Sequence, residues 1–260
     1  LDPASYIILV ETVAIVVLVA LAVHFRRRYE TIKLKFRGPI KSQWARDFDE
    51  RFRETELGPT LDAEVSIVGA GTGSFGSTSD TEAWVLGTLA RGCRRVFEFG
   101  TATGRTTHIL ARNVSADGDV ITITLAAEQI ESFERGSDDS ARAVEKALIE
   151  SRYSTFLYEA SAAGEKVVQL YGDSKQFDEA PYAASCDLIF IDGAHTYSYI
   201  KNDTEKALRM IRPGGVICWH DYRGRHVRPT RDVYRFLNDL GKIHPLVHIR
   251  GTSLVALRAP

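Results

Sequence analysis

Residues 95–107 (RVFEFGTATGRTT) constrain the fold of this chain more than any other stretch. An apolar run, Val96 to Phe99, ends in a turn holding Gly100 and Gly104 and leads into the helical pattern His108-Ile109-Leu110-Ala111. A strand that feeds a helix through glycines lets the backbone pass close to a ligand and take positive φ where the turn needs it. Glu98 stands near the carboxyl end of the run, the end at which open α/β sheets bind their ligands. A carboxylate beside a glycine turn suits a ligand carrying a ribose or an ammonium group. It suits a polyphosphate poorly, and the turn lacks the Gly-Lys-Ser/Thr ending of a phosphate-gripping loop.

The same punctuation recurs along the chain. Apolar runs at 95–99, 119–124, 166–171, 186–191, 215–219, 244–249 and 253–258 read as strands. Helical patterns fall between them at 80–91, 105–113, 140–150, 197–211 and 230–240. This alternation predicts right-handed crossovers and an α/β fold: a Rossmann-like, doubly wound, mainly parallel seven-stranded sheet. The last two strands are joined only by the turn at Arg250-Gly251, so they must form an antiparallel hairpin that closes the sheet. A hydrophobic content of 44% and a charged content of 26% suit one such domain, and a net charge of −1 gives no electrostatic basis for a nucleic-acid partner. Cys93, Cys186 and Cys218 lie in or beside apolar runs without disulfide or zinc spacing, and read as buried thiols.

The N-terminus differs in kind. Tyr6 to Phe25 has Glu11 as its only formal charge and as a helix would span roughly 30 Å, the thickness of a bilayer's hydrocarbon core. Arg26-Arg27-Arg28 follow, with no basic residue before them. By the positive-inside rule, residues 1–28 are expected to form a single transmembrane helix. The lipid bilayer is then a partner, and the rest of the chain lies on the cytoplasmic side. A cleaved signal peptide is the rival, but the basic n-region is missing. Residues 29–79 read as a juxtamembrane linker containing an amphipathic helix, Ser42 to Leu57, with Trp44, Phe48 and Phe52 on one face. The linker ends in a literal Gly-x-Gly-x-x-Gly at Gly71 to Gly76, though the run before it, Val65-Ser66-Ile67-Val68, is thin for a central strand.

Two further stretches sharpen the reading. Residues 187–197 read DLIFIDGAHTY and residues 212–222 read RPGGVICWHDY. With the first glycine turn, they resemble the class I S-adenosylmethionine (SAM)-dependent methyltransferases. More narrowly, they resemble the small-molecule O-methyltransferase family with the Phe-Ile-Asp-Gly-x-His-x-Tyr signature. The resemblance makes residues 80–260 the methyltransferase domain, with SAM as cofactor and a small-molecule or glycan hydroxyl as acceptor. It implies that Glu98, Gly100, Thr101 and Gly104 cradle the methionine moiety, and that Arg105 and Thr106 open a helix whose free N–H groups meet the SAM carboxylate. Asp173, followed by Ser174, matches the position that meets the adenine amino group. The resemblance also expects an acid at the end of the second strand to accept both ribose hydroxyls. Thr124 stands there instead, and a threonine hydroxyl makes one hydrogen bond where a carboxylate makes a charge-assisted pair. Glu128 reaching back would be one way to restore the charge.

Asp192 ends one strand and His220-Asp221 ends the next, so all three side chains should converge on one side of the sheet, with Asp192 also facing the cofactor. Two carboxylates and an imidazole suit Mg²⁺ or another divalent metal, which would lower the pKa of an acceptor hydroxyl. Helix capping and a polar turn are the alternative. His195 is the candidate general base without a metal, with Asp192 beside it. Two other functions compete: a catalytically inactive SAM-fold interaction module at the membrane, favoured by Thr124, and an NAD-dependent oxidoreductase using Gly71 to Gly76. Neither the acceptor nor the oligomeric state has a readable code.

Overall fold

A computed structural model describes residues 3–34, 39–60, 65 and 78–260. Its elements in chain order begin with α1 (Pro3–Leu34), β1 (Lys41–Gln43), α2 (Ala45–Phe48), β2 (Glu54–Thr55) and β3 (Gly58–Pro59). Then come α3 (Asp80–Ala90), β4 (Arg95–Phe99), α4 (Arg105–Asn113), β5 (Asp119–Thr124), α5 (Ala141–Glu150) and β6 (Val167–Tyr171). The chain closes with β7 (Cys186–Ile191), α6 (Tyr197–Met210), β8 (Ile211–Trp219), α7 (Arg231–Leu240), β9 (Val247–Ile249) and β10 (Val255–Arg258).

Residues alternate across the central strands, and each face binds its own helices. Phe97, Phe99, Ile189, Ile191 and Ile217 pack with Ile200, Met210, Phe236 and Leu237 of α6 and α7. Val96, Leu188, Phe190 and Val216 pack with Leu86 and Leu89 of α3 and Leu110 of α4. Strands buried on both faces read as unbroken apolar runs, which is why they were legible. The sheet has eight strands in the order β1-β9-β10-β8-β7-β4-β5-β6. From β8 to β6 all neighbours are parallel, and β10 lies antiparallel to both β8 and β9. The chain builds outward from β4 in both directions, so the β4/β7 boundary is the topological switch point.

Two expectations are corrected. Residues 42–57 do not form one amphipathic helix. They supply the edge strand β1, which runs parallel to β9, then the single turn α2 and the start of the β2–β3 hairpin. The aromatic residues anchor separately: Phe52 is buried edge-on against Trp84, while Trp44 lies under the Arg250 guanidinium. The expected transmembrane anchor is the second. Among the described residues no helix is long and apolar enough to cross a membrane. The physical reason is length: between Glu11 and Arg26 the stretch of α1 free of acidic and basic charges runs from Thr12 to Phe25, about 21 Å of helix against a hydrocarbon core of ~30 Å. The expected bilayer partner and the membrane location with a cytoplasmic domain fall with it. The Gly71 to Gly76 motif lies outside the described residues.

Candidate functional site

At the carboxyl ends of β4, β5, β6 and β7 opens a cleft lined by residues of all four strand ends. Five of the residues expected to meet the cofactor line it: Gly100, Thr124, Asp173, Ser174 and Asp192. Gly100 has φ +98°, and a Cβ there would lie 2.4 Å from the Asp192 carbonyl oxygen and 2.6 Å from Gly193 Cα. The Asp192–Gly193 backbone leaves no room for a side chain, so the turn presents bare main chain to the cleft. Asp173 is fixed at the end of β6. Its Oδ1 accepts from the Lys175 N–H at 2.8 Å and its Oδ2 from the Tyr199 hydroxyl at 3.1 Å. Tyr199 in turn stacks on Phe133, with ring centroids 4.6 Å apart. Glu128 is exposed and is not among the residues around the cleft.

The remaining expected residues lie beneath or beside the turn. Glu98 is buried on the α4 face of β4, where its Oε2 accepts from the Thr107 and Thr122 hydroxyls. Its other oxygen, Oε1, is buried without a hydrogen-bond partner. Burial pushes this carboxyl up to about 8, against the pull of the two threonines. The Thr101 and Thr122 hydroxyls lie 2.7 Å apart, extending the network into the turn. Gly104 caps α4 at φ +72°, packed under Phe156 and Tyr158. Arg105 is buried with its guanidinium on the Thr78 carbonyl, and Thr106 meets the Thr78 hydroxyl. Both tie α4 to the residues before α3.

A second group closes the far side of the cleft. Asp192 Oδ1 lies 3.0 Å from His220 Nδ1 and 3.4 Å from His195 Nε2, and His195 Nε2 lies 2.9 Å from Asp221 Oδ2. One ligand atom each from Asp192, His195 and Asp221 can be drawn within 4.8 Å of one another. His220 lies outside that set, held between Asp192 and Glu82, whose Oε2 is 3.4 Å from Nε2. Asp221 adopts φ +63°, a left-handed conformation that aspartate tolerates better than most residues.

Sequence reasoning missed two residues of this group, Lys146 and Glu150 on α5. Lys146 Nζ lies 2.9 Å from Asp221 Oδ2, and Glu150 Oε2 lies 3.5 Å from His195 Nδ1. In the sequence they form an ordinary i,i+4 pair that reads as a solvated helix face. Ala143 and Ala147, both buried, are the faint signal that this face packs closely. Asp203 was missed as well. It lines the cleft from α6, and burial raises its carboxyl to about 7.

The electrostatics follow from these contacts. Burial and Lys146 both work to lower the His195 imidazole, but Asp192 and Asp221 outweigh them and lift it to about 9. His220 is also raised well above the usual imidazole value, its burial overcome by the Asp192 and Asp221 charges. Asp192 and Asp221 fall below the usual carboxylate range because His220 and His195 outweigh burial. Both histidines therefore hold their protons at neutral pH.

Residues 97–222, which span nearly all of these groups, match the family model of a methyltransferase domain. No curated protein matches the chain. Among solved structures, a Klebsiella pneumoniae protein described as an O-methyltransferase is 21% identical with a TM-score of 0.50, covering 72% of this chain and 84% of its own. TomG, a Streptomyces achromogenes O-methyltransferase of tomaymycin synthesis solved with SAM, is 21% identical at TM-score 0.46, covering 71% and 82%. A Bacillus cereus O-methyltransferase solved with SAH is 21% identical at 0.46, covering 71% and 84%. The Klebsiella likeness shows the Rossmann-like methyltransferase fold, and the domain match supports a methyltransferase.

Proposed function

We propose that this chain is a SAM-dependent methyltransferase acting on a hydroxyl of a small molecule or glycan. The observation that carries the proposal is the convergence of Gly100, Thr124, Asp173 and Asp192, from four strand ends, on one cleft at the switch point of the sheet. The residues fit the cofactor. The Gly100 turn has no space for a Cβ, so main chain forms the wall beside Glu98, Thr101 and Gly104, which would hold the methionine moiety. The unpartnered Glu98 Oε1 beneath that wall suits an ammonium group. Thr124 would meet the ribose, and Asp173 with Ser174 the adenine. Arg105 has its guanidinium committed to Thr78, so it and Thr106 would serve through the backbone at the start of α4. When bound, SAM supplies an electrophilic methyl group.

The chain's own task is to align the acceptor and take its proton. Asp192 faces the cleft and is the proposed hydrogen-bond acceptor for the substrate hydroxyl. His195, 3.4 Å behind it, is the proposed base. An imidazole lifted to about 9 is protonated at neutral pH, so turnover rises as the pH climbs toward 9.

A divalent metal fits poorly. Asp192, His195 and Asp221 have suitable donor chemistry, but the Lys146 ammonium already lies 2.9 Å from Asp221 Oδ2 and 3.3 Å from His195 Nε2. No step is assigned to a metal.

Calorimetric titration with SAM tests the reading. Micromolar binding weakened at least tenfold by Asp173→Ala supports it. A folded chain that binds no SAM overturns it and leaves the interaction module, which Thr124 favours.

A further inference from the structure

The group formed by Asp192, His195 and Asp221 has the composition of a metal site, yet every oxygen of Asp221 already faces a fixed positive charge. Arg223 Nε lies 2.6 Å from Oδ1, and Lys146 Nζ lies 2.9 Å from Oδ2. Lys146 is drawn to this place by more than one partner. Its Nζ is also 3.5 Å from Glu150 Oε1, one helical turn along α5. The side chain is only 19% exposed, and α5 approaches closely because its inner face carries Ala143 and Ala147. The helix itself is pinned at its start. Ser140 caps it through its hydroxyl and donates its own N–H to Asp232 of α7.

We propose that Lys146 is the resident cation of this site, standing where a divalent metal would otherwise bind and holding Asp221 in position. A metal needs carboxylate oxygens at roughly 2.0–2.6 Å. It would have to compete with the ammonium at Asp221 Oδ2, because the two cations repel each other at such range. Lys146 is thus a positioning residue. It supplies permanently, from α5, the positive charge that metal-using sites borrow from solution. The proposal deepens the methyltransferase reading but does not depend on SAM being bound.

The test is Mn²⁺ titration of the full chain, followed by loss of the free-ion paramagnetic resonance signal and by thermal melting. The wild type is expected to take up no Mn²⁺ below about millimolar concentration. Lys146→Ala and Lys146→Met are expected to bind Mn²⁺ at least tenfold more tightly than wild type. Their melting temperatures should fall without the ion and recover with it, while Lys146→Arg behaves as wild type. A purely structural lysine would lower the melting temperature without creating Mn²⁺ binding. Micromolar Mn²⁺ binding by the wild type, abolished in Asp192→Asn, overturns the proposal even if neither lysine variant folds. So does a folded Lys146→Met chain that gains no binding. SAM titration of the same wild-type sample reports on the methyltransferase reading separately, so the two can fail independently.

Discussion

Glu98 shows how burial alone can set the charge of one side chain. It is closed off from solvent between Thr107 and Thr122, and burial raises it to about 8. A carboxyl whose folded pKa lies above its unfolded value contributes stability that is complete below about 4.5. That contribution is lost as the pH rises through about 8. Wild-type melting temperature should therefore decline across that window. Glu98→Gln should flatten the decline by an amount on the order of a few kcal/mol, measured by thermal denaturation at stepped pH. Thr124 makes the complementary case, lining the cleft with one hydroxyl where the proposed function would have it meet a ribose. Thr124→Glu places a carboxylate at the end of β5 and, on the proposed function, should tighten SAM binding by about tenfold, the ~1.4 kcal/mol expected of one added charge-assisted hydrogen bond. Unchanged affinity in calorimetry would mean that the ribose lies elsewhere. Thr124 was legible because the strand pattern fixes its position. The burial of Glu98 on the helical face was not, because a strand's period tells which residues share a face but not what covers it.

Helix α3 is a surface helix by its ends and a core helix by its contacts. Ser79 and Glu82 form a reciprocal capping box at its start, a pattern readable from local sequence. Glu82 does more than cap. Its Oε1 accepts from the Ser253 N–H and hydroxyl, and its Oε2 approaches His220. Ser79→Ala should cost about 1 kcal/mol, the worth of an N-cap. Glu82→Ala should cost 3–5 kcal/mol, roughly that of unpairing a buried charge. Urea denaturation separates the two, and equal costs would reduce Glu82 to a cap. Helix α5 teaches the same lesson, since its Lys146 and Glu150 reach the site while its sequence shows only an i,i+4 pair.

At the scale of the whole molecule, the stretch 39–60 belongs physically with the sheet it borders, although its composition reads as a linker. Ile40 and Phe52 are buried, β1 extends the sheet beside β9, and Asp49 is held down to about 2, its burial overcome by Arg51 and Arg258. A chain beginning at residue 80 should melt well below the full chain, whereas one beginning at residue 39 should melt within a few degrees of it. Phe52→Ala alone should cost about 3–5 kcal/mol. Equal melting temperatures for all three chain lengths would show the arm to be dispensable. The sequence by itself determined the parallel sheet, its C-terminal hairpin and the strand-end positions of Gly100, Thr124, Asp173, Asp192 and Asp221. Each of these follows from local period, glycine turns and residue order, which act over a few residues. Only the tertiary structure decided that Lys146 meets Asp221 across 75 residues, Glu82 meets Ser253 across 171 and Ser42 meets His248 across 206. Contacts between such distant residues leave no periodic trace in the chain. They are set by how the layers stack and by which buried charges must find partners once water is excluded.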